Sequence, residues 1–144
     1  MDKSLKDKAI DFKGKSYVLV ADRVLFFNEM YPDGSITTEL ISAPEADTVI
    51  VKATVKPNDK QIFTGYSQAT WGEGYINKTS ALENAETSAV GRALAFMGIG
   101  VIESIASIDE IKKTTTGRKE YNAKNKKDQD EGIDPLEGSD VDIF

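Results

Sequence analysis

Residues 77–100 read NKTSALENAETSAVGRALAFMGIG and contain the clearest helix signal of the chain. Ser80 is a suitable N-cap, and Glu83 stands three residues later, where its carboxylate can bond the Ser80 amide. Glycines 98 and 100 supply a stop signal. An apolar stripe recurs at three- and four-residue spacing and consists of Leu82, Ala85, Ala89, Ala93 and Phe96. The pattern predicts one long amphipathic helix around which the other elements pack.

One side of this helix is built from small residues, namely Ala81, Ala85, Ser88, Ala89, Gly91 and Ala95. A glycine inside a helix costs about 1 kcal/mol relative to alanine, so Gly91 predicts that another part of the chain packs closely there. Arg92 follows directly, and two interpretations of it are open. It either belongs to a buried amphipathic helix with its head group at the surface, or presents a cation to a groove.

The composition argues against an enzyme. The 144 residues include no cysteine and no histidine, which removes disulfides, thiolate chemistry, the usual zinc ligands and the commonest general base. No phosphate-binding loop occurs, and Glu83 and Glu86 suit the positive end of a helix dipole. No stretch is apolar enough to span a membrane, and the N-terminus lacks the apolar core of a signal peptide. We therefore expect a cytoplasmic binding protein with no cofactor and no metal.

The net charge of −6 is distributed unevenly along the chain. Residues 1–111 carry eleven basic and sixteen acidic side chains, residues 112–127 seven basic and one acidic, and residues 128–144 seven acidic and none basic. The pattern predicts a flexible N-terminus over residues 1–15, a folded core over 16–111, a basic disordered linker over 112–127 and an acidic tip over 128–144.

The residues before the long helix predict a strand over 16–20, a helix from Asp22 to Tyr31, and three further strands over 35–43, 48–56 and 61–71. Residues 57–60 have the composition of a hairpin loop, and residues 71–76 form a glycine-rich aromatic loop. One face of the middle strand is apolar, with Val49, Val51, Ala53 and Val55. We predict an α+β fold, a three- to four-stranded antiparallel meander covered by the long helix, and a further helix over 101–113.

Cations and aromatic residues recur around the last two strands. They are Lys52, Lys56, Lys60, Tyr66, Trp71, Tyr75 and Lys78. Cations that pair with phosphates, next to rings that stack on bases, are typical of proteins that bind single-stranded nucleic acid. Lysines on the solvent face of a strand and a tryptophan in the core would give the same pattern without any binding.

The element order and two motifs resemble the single-strand-annealing recombination proteins, which are the phage Sak and ERF types and their eukaryotic Rad-family relatives. The motifs are residues 21–24 (ADRV) with 28–31 (NEMY), and residues 78–94 (KTSALENAETSAVGRAL). This annealase-like resemblance covers residues 16–111. It implies a β-β-β-α core that forms rings or filaments, with single-stranded DNA in a basic groove contacted by Arg23 and Arg92 and, more loosely, by Lys78. The acidic body departs from the family pattern.

Residues 134–144 end in Asp140, Val141, Asp142, Ile143 and Phe144, and resemble the acidic tip of bacterial single-stranded-DNA-binding proteins. The resemblance implies that Asp140, Asp142, Ile143 and Phe144 bind a replication or recombination protein. A solubilising tail with a chance aromatic residue is the alternative.

Together these features predict a phage-type single-stranded-DNA-binding protein that promotes annealing in recombination, replication or repair in the host cytoplasm, and that forms a homo-oligomer. The predicted DNA contacts are Arg23, Arg92, Lys52, Lys56, Lys60, Lys78, Tyr66, Trp71 and Tyr75. Two alternatives remain. One is a coating protein with an OB barrel, for which the predicted helices leave too few strands. The other is an acidic oligomeric interaction protein that binds no DNA.

Overall fold

The computed structural model describes residues 3–102 and residue 105 of the chain. The chain divides into two units, Met1–Ile108 and Asp109–Phe144, and the described residues belong to the first. Its helices are α1 (Lys3–Lys6), α2 (Val20–Met30) and α3 (Ala81–Phe96), with a 3-10 turn at Ile76–Lys78. Its strands are β1 (Ile10–Phe12), β2 (Lys15–Tyr17), β3 (Ser35–Leu40), β4 (Thr48–Asn58) and β5 (Gln61–Thr70). The predicted α+β class is confirmed, while most of the helix predicted over 101–113 lies outside the described residues.

Strands β3, β4 and β5 form an antiparallel meander with β4 in the centre and β3 and β5 at the edges. Successive side chains of a strand point to opposite faces. The buried face of β4 carries Val49, Val51, Ala53 and Val55, which are at most 5% exposed. This prediction of the core face is confirmed. Strands β1 and β2 form a separate hairpin, so the described strands do not build the five-stranded barrel of the coating-protein alternative.

Helix α3 packs against β4 and β5 through its small residues. Ala81, Ala85, Ala89 and Ala93 are at most 1% exposed. The approach is closest at Gly65 of β5, where an added Cβ would lie 2.4 Å from the carbonyl oxygen of Ala89 and 2.5 Å from the amide nitrogen of Ala93. The small residues of α3 and Gly65 of β5 therefore allow the backbone of the helix to contact the backbone of the strand.

The apolar stripe predicted for α3 is wrong at both of its ends. Leu82 and Phe96 are 42% and 52% exposed. The helix packs on the sheet along its alanines, and this leaves the two large residues beside the contact stripe. Ser80 holds the predicted N-cap position but makes no side-chain cap hydrogen bond, and the helix ends before Gly98, whose φ is +92°.

Helix α2 begins at Val20, two residues before the predicted cap at Asp22. Val20 packs against α3 at Gly91, where an added Cβ would lie 2.8 Å from the Val20 Cγ2 atom. The prediction that something needs the space at Gly91 is therefore confirmed. Phe27 is fully buried in the same core cluster as the apolar face of β4.

The N-terminal residues are more regular than predicted. The charged segment before residue 15 contains α1 and β1, and β1 pairs with β2 around a turn in which Lys13 and Gly14 both have positive φ. Leu5 is 1% exposed within the core. Strands of three residues are too short to show a period-two pattern, and this explains why the sequence did not reveal the hairpin.

Candidate nucleic-acid surface

An open cleft of about 460 Å³ lies between the edge strand β5 and helix α3. Its lining consists of Ile62, Phe63, Thr64, Tyr66, Arg92 and Phe96, and we name it the β5–α3 cleft. Ile62, Tyr66 and Phe96 each expose more than half of their surface. The cleft therefore combines large apolar side chains with a guanidinium group at an edge of the sheet.

Arg92 reaches the cleft because α3 lies so close to β5. A Cβ at Gly65 would come within 2.9 Å of the Arg92 Cβ. The Arg92 Cζ atom lies 6.0 Å from the centroid of the Phe96 ring, which follows one helical turn later. The half-buried guanidinium group of Arg92 thus lies next to an exposed aromatic ring. Guanidinium groups pair with anions, and aromatic rings stack on planar groups.

Lys52 and Tyr66 are directly opposite each other on β4 and β5. The Lys52 Nζ atom lies 5.9 Å from the centroid of the Tyr66 ring, within the range of a cation–π contact. Tyr66 also lines the β5–α3 cleft with Arg92, whereas Lys52 lies outside the cleft lining, on the face of β4 opposite its buried face. Tyr66 therefore connects two of the predicted cations, Lys52 and Arg92, at the β5 edge of the sheet.

Lys56 and Lys60 lie farther along the sheet, toward the β4–β5 turn. Lys56 is four residues beyond Lys52 on β4, roughly 13 Å at the rise of a strand. Strand β4 continues to Asn58, and the Asn58 side-chain oxygen accepts hydrogen bonds from the amides of Lys60 (2.9 Å) and Gln61 (3.1 Å). The connection is therefore tighter than the loop predicted over 57–60.

Trp71, Tyr75 and Lys78 lie at the opposite end of β5, in residues 71–78, which we name the aromatic loop. All of these residues are exposed except Asn77. The Asn77 side-chain oxygen accepts a hydrogen bond of 2.9 Å from the side-chain Nδ2 atom of Asn84 in α3. Two predicted aromatic contacts and one lysine thus form a second exposed group, held against the long helix by a buried asparagine.

Arg23 requires a correction, because the structure places it in the interior rather than at a groove. It is 2% exposed, and its Nε and Nη1 atoms donate to the carbonyl oxygens of Val18 (2.9 Å) and Gly91 (3.3 Å). Its Cζ atom lies 5.0 Å from the centroid of the Tyr17 ring. Burial lowers the pKa of Arg23, against an opposing electrostatic effect of Tyr17. The residue links α2, the preceding segment and α3.

Three residues of these surfaces were missed by the sequence prediction. Phe96 was assigned to the core, although its position four residues after Arg92 places both on one helix face. Ile62 was not singled out, although strand alternation puts it on the same face as Tyr66. Asn77 gave no signal, because its role depends on a tertiary contact with Asn84.

Two groups of predicted features lie outside the described residues. These are the basic segment 112–127 and the partner contacts Asp140, Asp142, Ile143 and Phe144. Within the described part of the chain, every helix is too short or too polar to cross a membrane.

Comparison with known families matches residues 25–97 to the family described as Slr1353 N-terminal dsRNA-binding domain-like. The matched range covers half of the chain and runs from α2 through the meander to the end of α3. It contains Lys52, Tyr66, Arg92 and the whole aromatic loop. No curated protein and no solved structure matches the chain significantly.

Proposed function

The chain belongs to the Slr1353 N-terminal dsRNA-binding domain-like family, and we propose that it is a nucleic-acid-binding protein that uses the β5–α3 cleft to hold a single strand. The observation that supports this proposal best is the exposed Tyr66 ring, which contacts Lys52 and lines the cleft together with Arg92. Phosphates would pair with the two cations while a base stacks on the tyrosine ring.

The exposed side chains favour a single strand over a duplex. The bases of a duplex are already stacked on one another, so rings such as Tyr66 and Phe96 gain little from it. A duplex is held mainly through its phosphates, which requires many cations. The described residues 3–102 carry eleven basic and twelve acidic side chains, and Glu83 and Glu86 occupy the first turns of α3. This charge balance disfavours a phosphate-only contact.

Duplex RNA is the second candidate ligand, because the family description names a dsRNA-binding-like domain. The two candidates differ in what the surface residues would do. A duplex would depend on Lys52 and Arg92 and would be insensitive to the loss of the Tyr66 ring. A single strand would depend on all three.

The resemblance to annealing proteins extends the proposal to function in the cell. On this view the protein acts by binding, without making or breaking bonds, and holds two strands extended so that phage recombination intermediates can pair. Self-association into rings or filaments and recruitment of a replication protein by residues 128–144 belong to the same proposal. The β3 edge of the described sheet, on the far side of β4 from the β5–α3 cleft, is a surface on which a second copy could add.

The test is a titration of three labelled ligands: an oligothymidylate of about 15 nucleotides, a DNA duplex and an RNA duplex of similar length. The proposal expects the single strand to bind most tightly, and Tyr66→Ala to weaken that binding. Lys15→Ala, which removes a cation from the separate hairpin, is the matched control and should bind normally. Tighter binding of the RNA duplex, unaffected by Tyr66→Ala, would establish the second candidate instead. An assay of the pairing rate of two complementary strands then tests annealing.

A further inference from the structure

The aromatic loop exposes large side chains although it is tied to the rest of the fold. Tyr75 is 90% exposed, and Trp71 and Ile76 are each 42% exposed. Apolar side chains grouped at an ordered surface mark contact sites more often than isolated ones do. The exposed rings of the loop are therefore available to contact a ligand.

Several hydrogen bonds fix the conformation of this loop. The Trp71 amide donates to the Asp47 carbonyl (2.9 Å), which ties the start of the loop to the residue before β4. The Gly72 amide donates to the Asn77 carbonyl (2.8 Å), which closes the loop on itself. Asn77 is 4% exposed and is bonded by Asn84 of α3. A buried polar residue thus holds an otherwise exposed loop in one arrangement.

We propose that the aromatic loop is a second base-stacking site for the same single strand that occupies the β5–α3 cleft. This inference rests on the proposed function. The rings of Trp71 and Tyr75 would each accept a base, and Lys78 at the end of the 3-10 turn would pair with a phosphate. Glu73 is the acidic residue of the loop, and phosphates would pass on the Lys78 side of it.

The spacing of the two sites suits one continuous strand. Tyr66 and Trp71 are five residues apart along and just beyond β5, a separation of about 17 Å at the rise of an antiparallel strand. Stacked bases advance about 3.4 Å per nucleotide, so roughly five nucleotide steps, or fewer if the strand is extended, connect the sites. A strand that follows β5 would thus pass from the cleft to the aromatic loop.

Trp71 is the single tryptophan of the chain, so its fluorescence reports on the loop directly. The experiment titrates the full-length protein with an unlabelled oligothymidylate of about 15 nucleotides and follows Trp71 emission. A parallel titration measures binding by the anisotropy of a labelled copy of the same strand. We expect the emission to be quenched, with the same midpoint as the anisotropy change, because a base stacks on the indole ring.

Substitution of the loop gives the second arm of the experiment. Tyr75→Ala should weaken binding of the labelled strand about 10-fold or more, in line with the loss of one stacked base. Because Tyr75 is 90% exposed, this variant should fold like the wild type. Leu25→Ala, which truncates a 62% exposed apolar side chain on α2, is the control and should bind normally.

The outcomes separate this inference from the proposed function. If no oligonucleotide changes the anisotropy, the proposed function fails and the second site fails with it. If the labelled strand binds, but Trp71 emission stays constant and Tyr75→Ala binds like the wild type, the cleft alone holds the strand and the second site is refuted.

Discussion

Two arginines, Arg23 and Arg92, occupy opposite environments in this fold. Arg23 is enclosed by backbone carbonyls and the Tyr17 ring, whereas Arg92 lines an open cleft beside Phe96. The sequence could not separate them, because both sit among apolar residues on helices. What distinguishes them is the neighbour that each helix meets. Gly100 leaves room for the Arg23 side chain inside the fold, since an added Cβ there would lie 2.7 Å from the Arg23 Nε atom, and the Gly91 carbonyl accepts its hydrogen bond. No local pattern predicts either contact.

We predict that Arg23→Ala destabilises the protein by about 3 kcal/mol. It removes the guanidinium donor from two buried carbonyl groups and opens a cavity among α2, α3 and Tyr17. Urea denaturation followed by circular dichroism measures the free energy of unfolding. Arg23→Lys should also be destabilised, since one ammonium group cannot reproduce the geometry of two guanidinium donors. A wild-type unfolding midpoint for both variants would contradict the structural role of Arg23.

Arg92→Ala should have the reverse effect. One charged hydrogen bond to a phosphate contributes roughly 1.5–3 kcal/mol, so binding of a single strand should weaken about 10- to 100-fold. The unfolding midpoint should change little, because the side chain lies in the wall of an open cleft. Anisotropy titrations run beside the denaturation curves give both quantities. A variant that unfolds earlier and binds normally would make Arg92 a structural residue.

At the scale of the elements, the contact between α3 and β5 organises the molecule. The sequence predicted the three strands, the buried face of β4 and the limits of α3, because period-two alternation and helix-stop glycines are local signals. It predicted the contacting side of α3 correctly at Ala85, Ala89 and Ala93, but extended that side wrongly to Leu82 and Phe96. The alanines that make this contact are weakly hydrophobic, and Leu82 and Phe96 dominated the apparent stripe although both are largely exposed. Close backbone approach, rather than hydrophobicity, decides the orientation of the helix.

We expect Gly65→Ala to destabilise the fold by about 2–3 kcal/mol or more. The added methyl group would overlap backbone atoms of Ala89 and Ala93, which cannot move without shifting the whole helix. Ser67→Ala, on the same strand and the same face, adds no volume and should cost less than about 1 kcal/mol. Thermal denaturation of both variants checks the difference. Equal midpoints for the two would show that the helix is not seated as closely as described.

Asn84→Ala should release the aromatic loop while leaving the sheet intact. The substitution leaves the buried Asn77 oxygen without its donor, and this costs about 1–3 kcal/mol in the local structure. Hydrogen exchange should become faster for the Gly72 amide and its neighbours, and stay unchanged in β4. Thr87→Ala, an exposed substitution on the same helix, serves as the control. Unchanged exchange at Gly72 would mean that the backbone bonds alone hold the loop.

At the scale of the whole molecule, the excess positive and negative charges lie in the last part of the sequence and not in the described core. The described residues 3–102 are nearly neutral, whereas residues 112–127 are strongly basic and residues 128–144 strongly acidic. Such a core lacks the broad positive field that attracts nucleic acid from a distance. Its proposed affinity must come from a few close contacts, namely those of Arg92 in the β5–α3 cleft, Lys52 beside Tyr66 and Lys78 in the aromatic loop, together with the rings next to them.

A core that pairs with phosphates through only a few cations should bind with a shallow dependence on salt. For a single strand, the logarithm of the binding constant falls with the logarithm of the salt concentration with a slope of about −0.7 per neutralised phosphate. Three cations, Lys52, Lys78 and Arg92, therefore predict a slope near −2 between about 50 and 200 mM salt. Arg92→Ala should reduce the magnitude of this slope by about 0.7, because one phosphate contact is lost. Tyr66→Ala should weaken binding without changing the slope, because stacking releases no counterions. Anisotropy titrations of the three proteins at four salt concentrations measure these slopes. A wild-type slope steeper than about −4 would require more phosphate contacts than this surface supplies, and would assign the binding to other cations, such as those of residues 112–127.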